Sequence, residues 1–144
     1  KFLGDVPETQ IGALGRAVRA VADTAAPMRL RAEGTGFFPN DRSPRVFWMD
    51  IKSADGRLME FQGQLEAGVQ TFAQKQDAKK FTAHVTLARM GTMRRQDTET
   101  LTSAAAVART FGEWTATEAR LIQSSLLASG PVYAVLDTFR IKNV

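Results

Sequence analysis

The chain contains one histidine, His84, set in Phe81-Thr82-Ala83-His84-Val85-Thr86-Leu87-Ala88-Arg89. Imidazole gives or takes a proton near neutral pH, and the Thr86 hydroxyl and Arg89 guanidinium are groups that hold phosphate. Apolar residues alternate here and β-branched neighbours are frequent, so Thr82 to Met90 reads as a strand. Successive side chains of a strand point to opposite faces, which sets His84 and Thr86 on one face and Val85 and Leu87 on the other. Val85 and Leu87 are expected to face a core. The imidazole, the hydroxyl and Arg89 near the strand's end are expected on the open side. A lone His-x-Thr also fits a packed structural histidine, so the tripeptide alone does not decide.

The elements around this strand are legible from pattern. Asp5-Val6-Pro7-Glu8 is a helix start, with proline in the first turn and acidic residues near the positive end of the dipole. Ile11, Leu14, Val18 and Val21 form one helical stripe, ended by Pro27. Met28 to Gly34 reads as a strand, Gly34 to Asn40 as a loop, and Arg45 to Ile51 as a second strand. A turn at Asp55-Gly56 precedes a helix whose stripe is Leu58, Phe61, Leu65, Val69 and Phe72. Asp97 is placed to cap a third helix carrying Leu101, Ala104, Val107 and Phe111. Glu113 to Leu127 and Val132 to Ile141 read as two strands joined by a Ser129-Gly130-Pro131 turn. Helices separated by strand pairs predict an α+β protein of two lobes, with mainly antiparallel sheets facing a central cleft and helices outside.

Composition narrows the function classes. At 144 residues the chain has the size of one domain or two intimately packed halves. It has no cysteine, hence no disulfide framework, thiol nucleophile or zinc–thiolate site. One histidine argues against a transition-metal site, so no metal and no cofactor are expected. No membrane span and no signal-peptide pattern is visible, and a cytoplasmic protein is expected. The net charge of +4 leans towards polyanionic partners. Lys75, Lys79, Lys80, Arg89, Arg94 and Arg95 flank the His84 strand and would line either a phosphate-backbone path or an ordinary solvated surface.

Several segments together carry a resemblance. Lys1-Phe2-Leu3-Gly4-Asp5-Val6-Pro7-Glu8, Gly36-Phe37-Phe38-Pro39 with Pro44-Arg45-Val46-Phe47-Trp48, the His84 segment with arginine five residues on, and Leu121-Ile122-Gln123-Ser124-Ser125-Leu126 with Gly130 and Tyr133 occur in this order. The whole chain resembles the RNA 2′,3′-cyclic phosphodiesterases, once called 2′-5′ RNA ligases, of the two-histidine phosphoesterases. The resemblance implies that His84 is the water-activating base and that Thr86 and Arg89 stabilise charge on the phosphate oxygens. Arg45 is a weaker candidate for the same phosphate. Phe38 and Trp48 are candidates for stacking on a base, with core burial the competing role for Trp48. The implied partners are RNA ends or nucleotides bearing a 2′,3′-cyclic phosphate, and reversible 2′-5′ ligation is a further implied activity.

Two departures bear on the expectation. Ala83 stands where the family has proline before the second-motif histidine. The family's first His-x-Thr motif lies directly upstream of Lys-Phe-Leu-Gly, and this sequence opens at Lys1. Residues 1–144 are therefore expected to form a single two-lobed domain, incomplete at its N-terminus and lacking the acid partner of His84. With that segment present, a monomer is expected. The rival readings are a noncatalytic RNA- or nucleotide-binding module on the same fold, and a structural domain in which His84 is only packed.

Overall fold

The computed structural model describes residues 1–74, 80–107 and 109–142; Lys75 and Lys79 of the basic stretch lie outside them. In chain order the elements are α1 (Glu8–Thr24), β1 (Met28–Phe38), β2 (Val46–Ser53), α2 (Arg57–Val69) with a 3₁₀ turn (Gln70–Phe72), β3 (His84–Arg89), α3 (Arg95–Ala105), β4 (Thr110–Ala116), β5 (Glu118–Leu127) and β6 (Gly130–Arg140). The strands form two sheets, one in the order β3-β2-β1-β4 and one made of β5 and β6. The β1–β2, β2–β3 and β5–β6 pairings are antiparallel, which bears out the α+β class. The chain divides into two units: Lys1–Met28 with Asp55–Ala78 and Thr115–Val144, and Arg29–Ala54 with Lys79–Trp114.

The first unit is built on the two long helical stripes. Leu14, Val18 and Ala22 of α1, Val69 of α2 and Phe139 of β6 form its buried cluster, with Leu3, Val6, Leu65, Phe72 and Leu121 packed against it. Apolar residues at helical spacing meet the inner face of the hairpin, and the area they remove from water holds the unit together. The stripe of α1 runs into Ala22, while Ile11 and Val21 are half-buried. Phe139 is fully buried, and the Arg19 guanidinium lies 5.0 Å from its ring centroid.

The second unit holds the four-stranded sheet and α3. Leu30 and Ala32 of β1 are buried. The Thr35 hydroxyl donates to the Ala105 carbonyl at 2.9 Å and ties the end of α3 to β1. The Gly34 N–H donates to the Arg109 carbonyl at 3.0 Å, where the chain enters β4.

Four expectations are corrected. Residues 34–38 continue β1 instead of forming a loop. The segment read as one strand from Glu113 to Leu127 is two strands of different sheets, β4 and β5, parted at Thr117. Helix α3 starts after Arg94 and ends at Ala105, so Asp97 lies in its first turn, Val107 follows it and Phe111 belongs to β4. Finally, Val85 and Leu87 are not core: they are 47% and 48% exposed, and all six residues of β3 are exposed. Among the described residues strand β3 is the edge of its sheet, paired to β2 alone, so its apolar side gains little cover.

Candidate active site

The candidate site is a property of sheet register. Asp50 of β2 lies opposite His84, Trp48 opposite Thr86, and Val46 opposite Arg89. Residues directly opposite on an antiparallel pair share a face, so His84, Thr86, Asp50 and Trp48 stand together. Strict alternation would put Arg89, five residues from His84, on the other side. It does not, because the ladder slips between Phe47 and Trp48: Phe47 pairs with Ala88, and Leu87 is the extra residue on β3. A bulge of this kind rephases every residue beyond it. Arg89 thereby comes into register with the face that carries His84.

A second bulge does the same on β1. Ala32 pairs with Ile51 but Thr35 pairs with Met49, so β1 carries one more residue than β2 across this step. Gly34 sits in the bulge with φ 81°, a left-handed conformation that glycine adopts without the strain a Cβ imposes. Upstream of the bulge Leu30 and Ala32 are buried; downstream Gly36 lies opposite Trp48, and Phe38 follows on the same face. Ring contacts agree with this register. Phe38 stacks on Trp48 at 5.0 Å between centroids, and His84 stands edge-on to Phe38 at 5.1 Å and to Trp48 at 6.0 Å.

The imidazole has a defined polar partner as well. His84 Nδ1 lies 2.7 Å from the Thr82 carbonyl oxygen. A carbonyl only accepts, so the hydrogen bond requires the proton on Nδ1, and in the neutral ring Nε2 then carries the lone pair. An exposed imidazole with Nε2 unprotonated is a base ready to accept a proton.

Arg45 borders the far end of this face. Its N–H donates to the Phe38 carbonyl and its carbonyl accepts from the Met90 N–H, both at 2.8 Å. Its guanidinium Nη1 donates to the Thr92 hydroxyl at 3.3 Å. The structure thus gathers His84, Thr86 and Phe38 with Arg89 in phase, and puts Arg45 one residue beyond the Val46–Arg89 rung. Lys80, Arg94 and Arg95 are exposed, and Arg95 is paired with Glu99 at 2.8 Å.

At the other end of the face is an ion-paired group. Lys52 Nζ donates to Glu33 Oε1 at 3.0 Å, and Arg31 Nε lies 2.7 Å from Glu33 Oε2. The Lys52 hydrogen bond, aided by the Arg31 charge, holds the Glu33 carboxyl below its ordinary value. Among the described residues no group of three or more histidine, cysteine or acidic side chains is arranged to hold a metal ion. Likewise, no described helix is long and apolar enough to cross a membrane.

Asp50 and Gly36 were not recognisable as site neighbours from sequence. They reach the site through pairing between strands far apart in the chain, and no residue type marks the β3 bulge as Gly34 marks that of β1.

A sheet face with one oriented imidazole, a threonine and an in-phase arginine is the kind of site that phosphoesterases use, and comparison with known proteins is specific. The family model described as the 2′-5′ RNA ligase superfamily matches residues 2–126, and the chain belongs to that superfamily. It is similar to the RNA 2′,3′-cyclic phosphodiesterase of Thermus thermophilus, at 34% identity over 98% of this chain and 69% of the relative. The protein of the same name from Aquifex aeolicus is 28% identical over 96% of this chain and 74% of its own length. Among solved structures, TT0787 of Thermus thermophilus aligns with a TM-score of 0.75 at 33% identity, covering 97% of this chain and 74% of that one. The E. coli LigT structure with 3′-AMP shares the fold, with a TM-score of 0.75 at 19% identity over 99% and 75% of the two chains.

Proposed function

We propose that this protein is an RNA 2′,3′-cyclic phosphodiesterase, opening terminal 2′,3′-cyclic phosphates to 2′-phosphates by acid–base catalysis. The observation that carries the reading is the exposed His84 residue, its Nδ1 engaged by the Thr82 carbonyl and its Nε2 without a hydrogen bond among the described residues. Superfamily membership and the names of the relatives supply the substrate class.

In this reading Nε2 takes a proton from water as the water oxygen bonds to phosphorus. The bond from phosphorus to the 3′ oxygen breaks, and that oxygen receives a proton from a second acid. Thr86 and Arg89 donate to the non-bridging oxygens, where charge builds up, and Arg45 adds a second cation at the same end of β3. Phe38 receives the base. With a ribose 5′-hydroxyl in place of water as the nucleophile, the same step would form a 2′-5′ phosphodiester as the 3′ oxygen leaves, which is ligation, and its reverse would cleave that linkage. We further propose that the protein works in the cytoplasm, with which a sequence free of cysteine is consistent, and that it acts as a monomer.

The test is turnover of an oligonucleotide ending in a 2′,3′-cyclic phosphate by the natural full-length protein and its His84→Ala variant. Loss of hydrolysis with binding largely retained is expected. Near-parental turnover by the variant would overturn the base assignment, and binding without turnover by the parent would favour a noncatalytic module.

A further inference from the structure

Trp48 is set in an unusual way for a residue in the middle of a central strand. A Cβ built on Gly36 would lie 2.2 Å from Trp48 Cζ2 and 2.5 Å from Cη2, so the indole occupies the space a side chain at position 36 would fill. Its Nε1 is buried without a hydrogen-bond partner among the described residues. Leaving an indole donor unpaired costs free energy that a purely apolar ring would not incur. Burial alone therefore does not account for tryptophan here.

Its contacts point to the site. The indole stacks on Phe38, and both rings present themselves to the His84 imidazole, at 6.0 and 5.1 Å between centroids. His84 lies on an exposed edge strand, where a side chain ordinarily samples several rotamers. Here its ring is bounded by two aromatic rings and by the Thr82 carbonyl. We propose that Trp48 is a positioning residue: admitted by the missing side chain of Gly36, its indole fixes the His84 ring, directly and through Phe38, so that Nδ1 stays on the Thr82 carbonyl and Nε2 faces the substrate. The proposal rests on the reading of His84 as the catalytic base.

Two measurements on Trp48→Leu and Trp48→Phe test it. The first is ring ¹⁵N NMR of this chain, whose lone histidine needs no assignment. The parent is expected to show the Nδ1–H tautomer with a single side-chain rotamer. Trp48→Leu is expected to shift towards a mixture of tautomers and averaged couplings, with Trp48→Phe in between. The second is kinetics of the natural full-length protein on a cyclic-phosphate substrate. Trp48→Leu should lower kcat on the order of tenfold with KM within about twofold, the pattern of a misplaced catalytic group, and Trp48→Phe should recover part of the loss. An unchanged tautomer and rotamer in Trp48→Leu, or a raised KM with unchanged kcat, overturns the proposal; the second result would make Trp48 a substrate contact. If Trp48→Leu does not fold, the Trp48→Phe spectrum decides by the same criterion. A parent without turnover would refute the base assignment, while the spectra would still decide whether Trp48 holds the ring.

Discussion

Deleting Leu87 should leave the site in register, whereas deleting Val85 should destroy it. Leu87 is the extra residue of the β3 bulge. Without it the ladder becomes regular: Thr86 stays opposite Trp48, Ala88 opposite Phe47 and Arg89 opposite Val46, so Arg89 keeps the His84 face. The cost is small. A bulged residue is unpaired in the ladder, and Leu87 is 48% exposed. Half of a leucine burial of about 1.5–3 kcal/mol gives roughly 1 kcal/mol of lost stability. Removing the arginine itself is costlier. A charge-assisted hydrogen bond of about 1.5–3 kcal/mol corresponds to roughly 10- to 150-fold in kcat/KM, the loss expected for Arg89→Ala. Deleting Val85 moves His84 opposite Met49 and onto the other face, and should match His84→Ala. The assay is kcat/KM on a cyclic-phosphate oligonucleotide for the three variants in the natural protein, beside their thermal midpoints. A Leu87 deletion that folds yet loses as much as Arg89→Ala would refute the claim that the bulge serves to bring Arg89 into phase.

Other consequences are directly measurable. His84→Ala should lower hydrolysis by about 10²–10⁴, and a chelator should leave parental activity within about twofold, as expected of imidazole acid–base chemistry; complete loss with chelator would contradict it. Phe139→Ala empties the centre of the first unit's core and should cost about 3–5 kcal/mol in urea unfolding, with a cost below about 1 kcal/mol showing that the cluster does not depend on it. Glu33, its carboxyl held low by Lys52 and then Arg31, contributes stability that is present above the ordinary value of 4.5 and is lost as pH falls through its lowered folded value. Glu33→Gln should therefore be less stable than the parent at neutral pH, with the gap closing on acidification and narrowing in high salt; a gap that widens towards acid would reverse the sign assigned here.

What the sequence disclosed was governed by local periodicity. The stripe through Leu14 and Val18, the His84 strand and the last hairpin each depend on neighbours within a few residues, and each is found in the structure. The hairpin turn, however, is Ala128-Ser129, with Gly130 and Pro131 already in β6 instead of in the expected Ser129-Gly130-Pro131 turn. The two bulges were not visible. Gly34 and Gly36 signal a loop to any local rule, yet one supplies the left-handed residue of a bulge and the other makes room for an indole from the next strand. The spacing of Val107 and Phe111 happened to continue the α3 pattern, although the helix ends at Ala105 and Phe111 serves a strand. The odd separation of His84 and Arg89 was the one available hint. Two groups needed on one face but spaced by five residues require a bulge between them.

The Thr82 carbonyl has a consequence for chemical reactivity. A histidine normally offers either ring nitrogen to an acylating or alkylating reagent, and mixtures of adducts result. Here one nitrogen is engaged by a carbonyl, the other has no hydrogen bond among the described residues, and residues 1–144 hold neither a second imidazole nor any thiol to compete. Electrophiles selective for imidazole should add once within residues 1–144, at Nε2, giving a single regioisomer readable by mass and fragmentation. Protection of that nitrogen by a bound nucleotide then becomes a direct count of occupied sites, without any need for turnover.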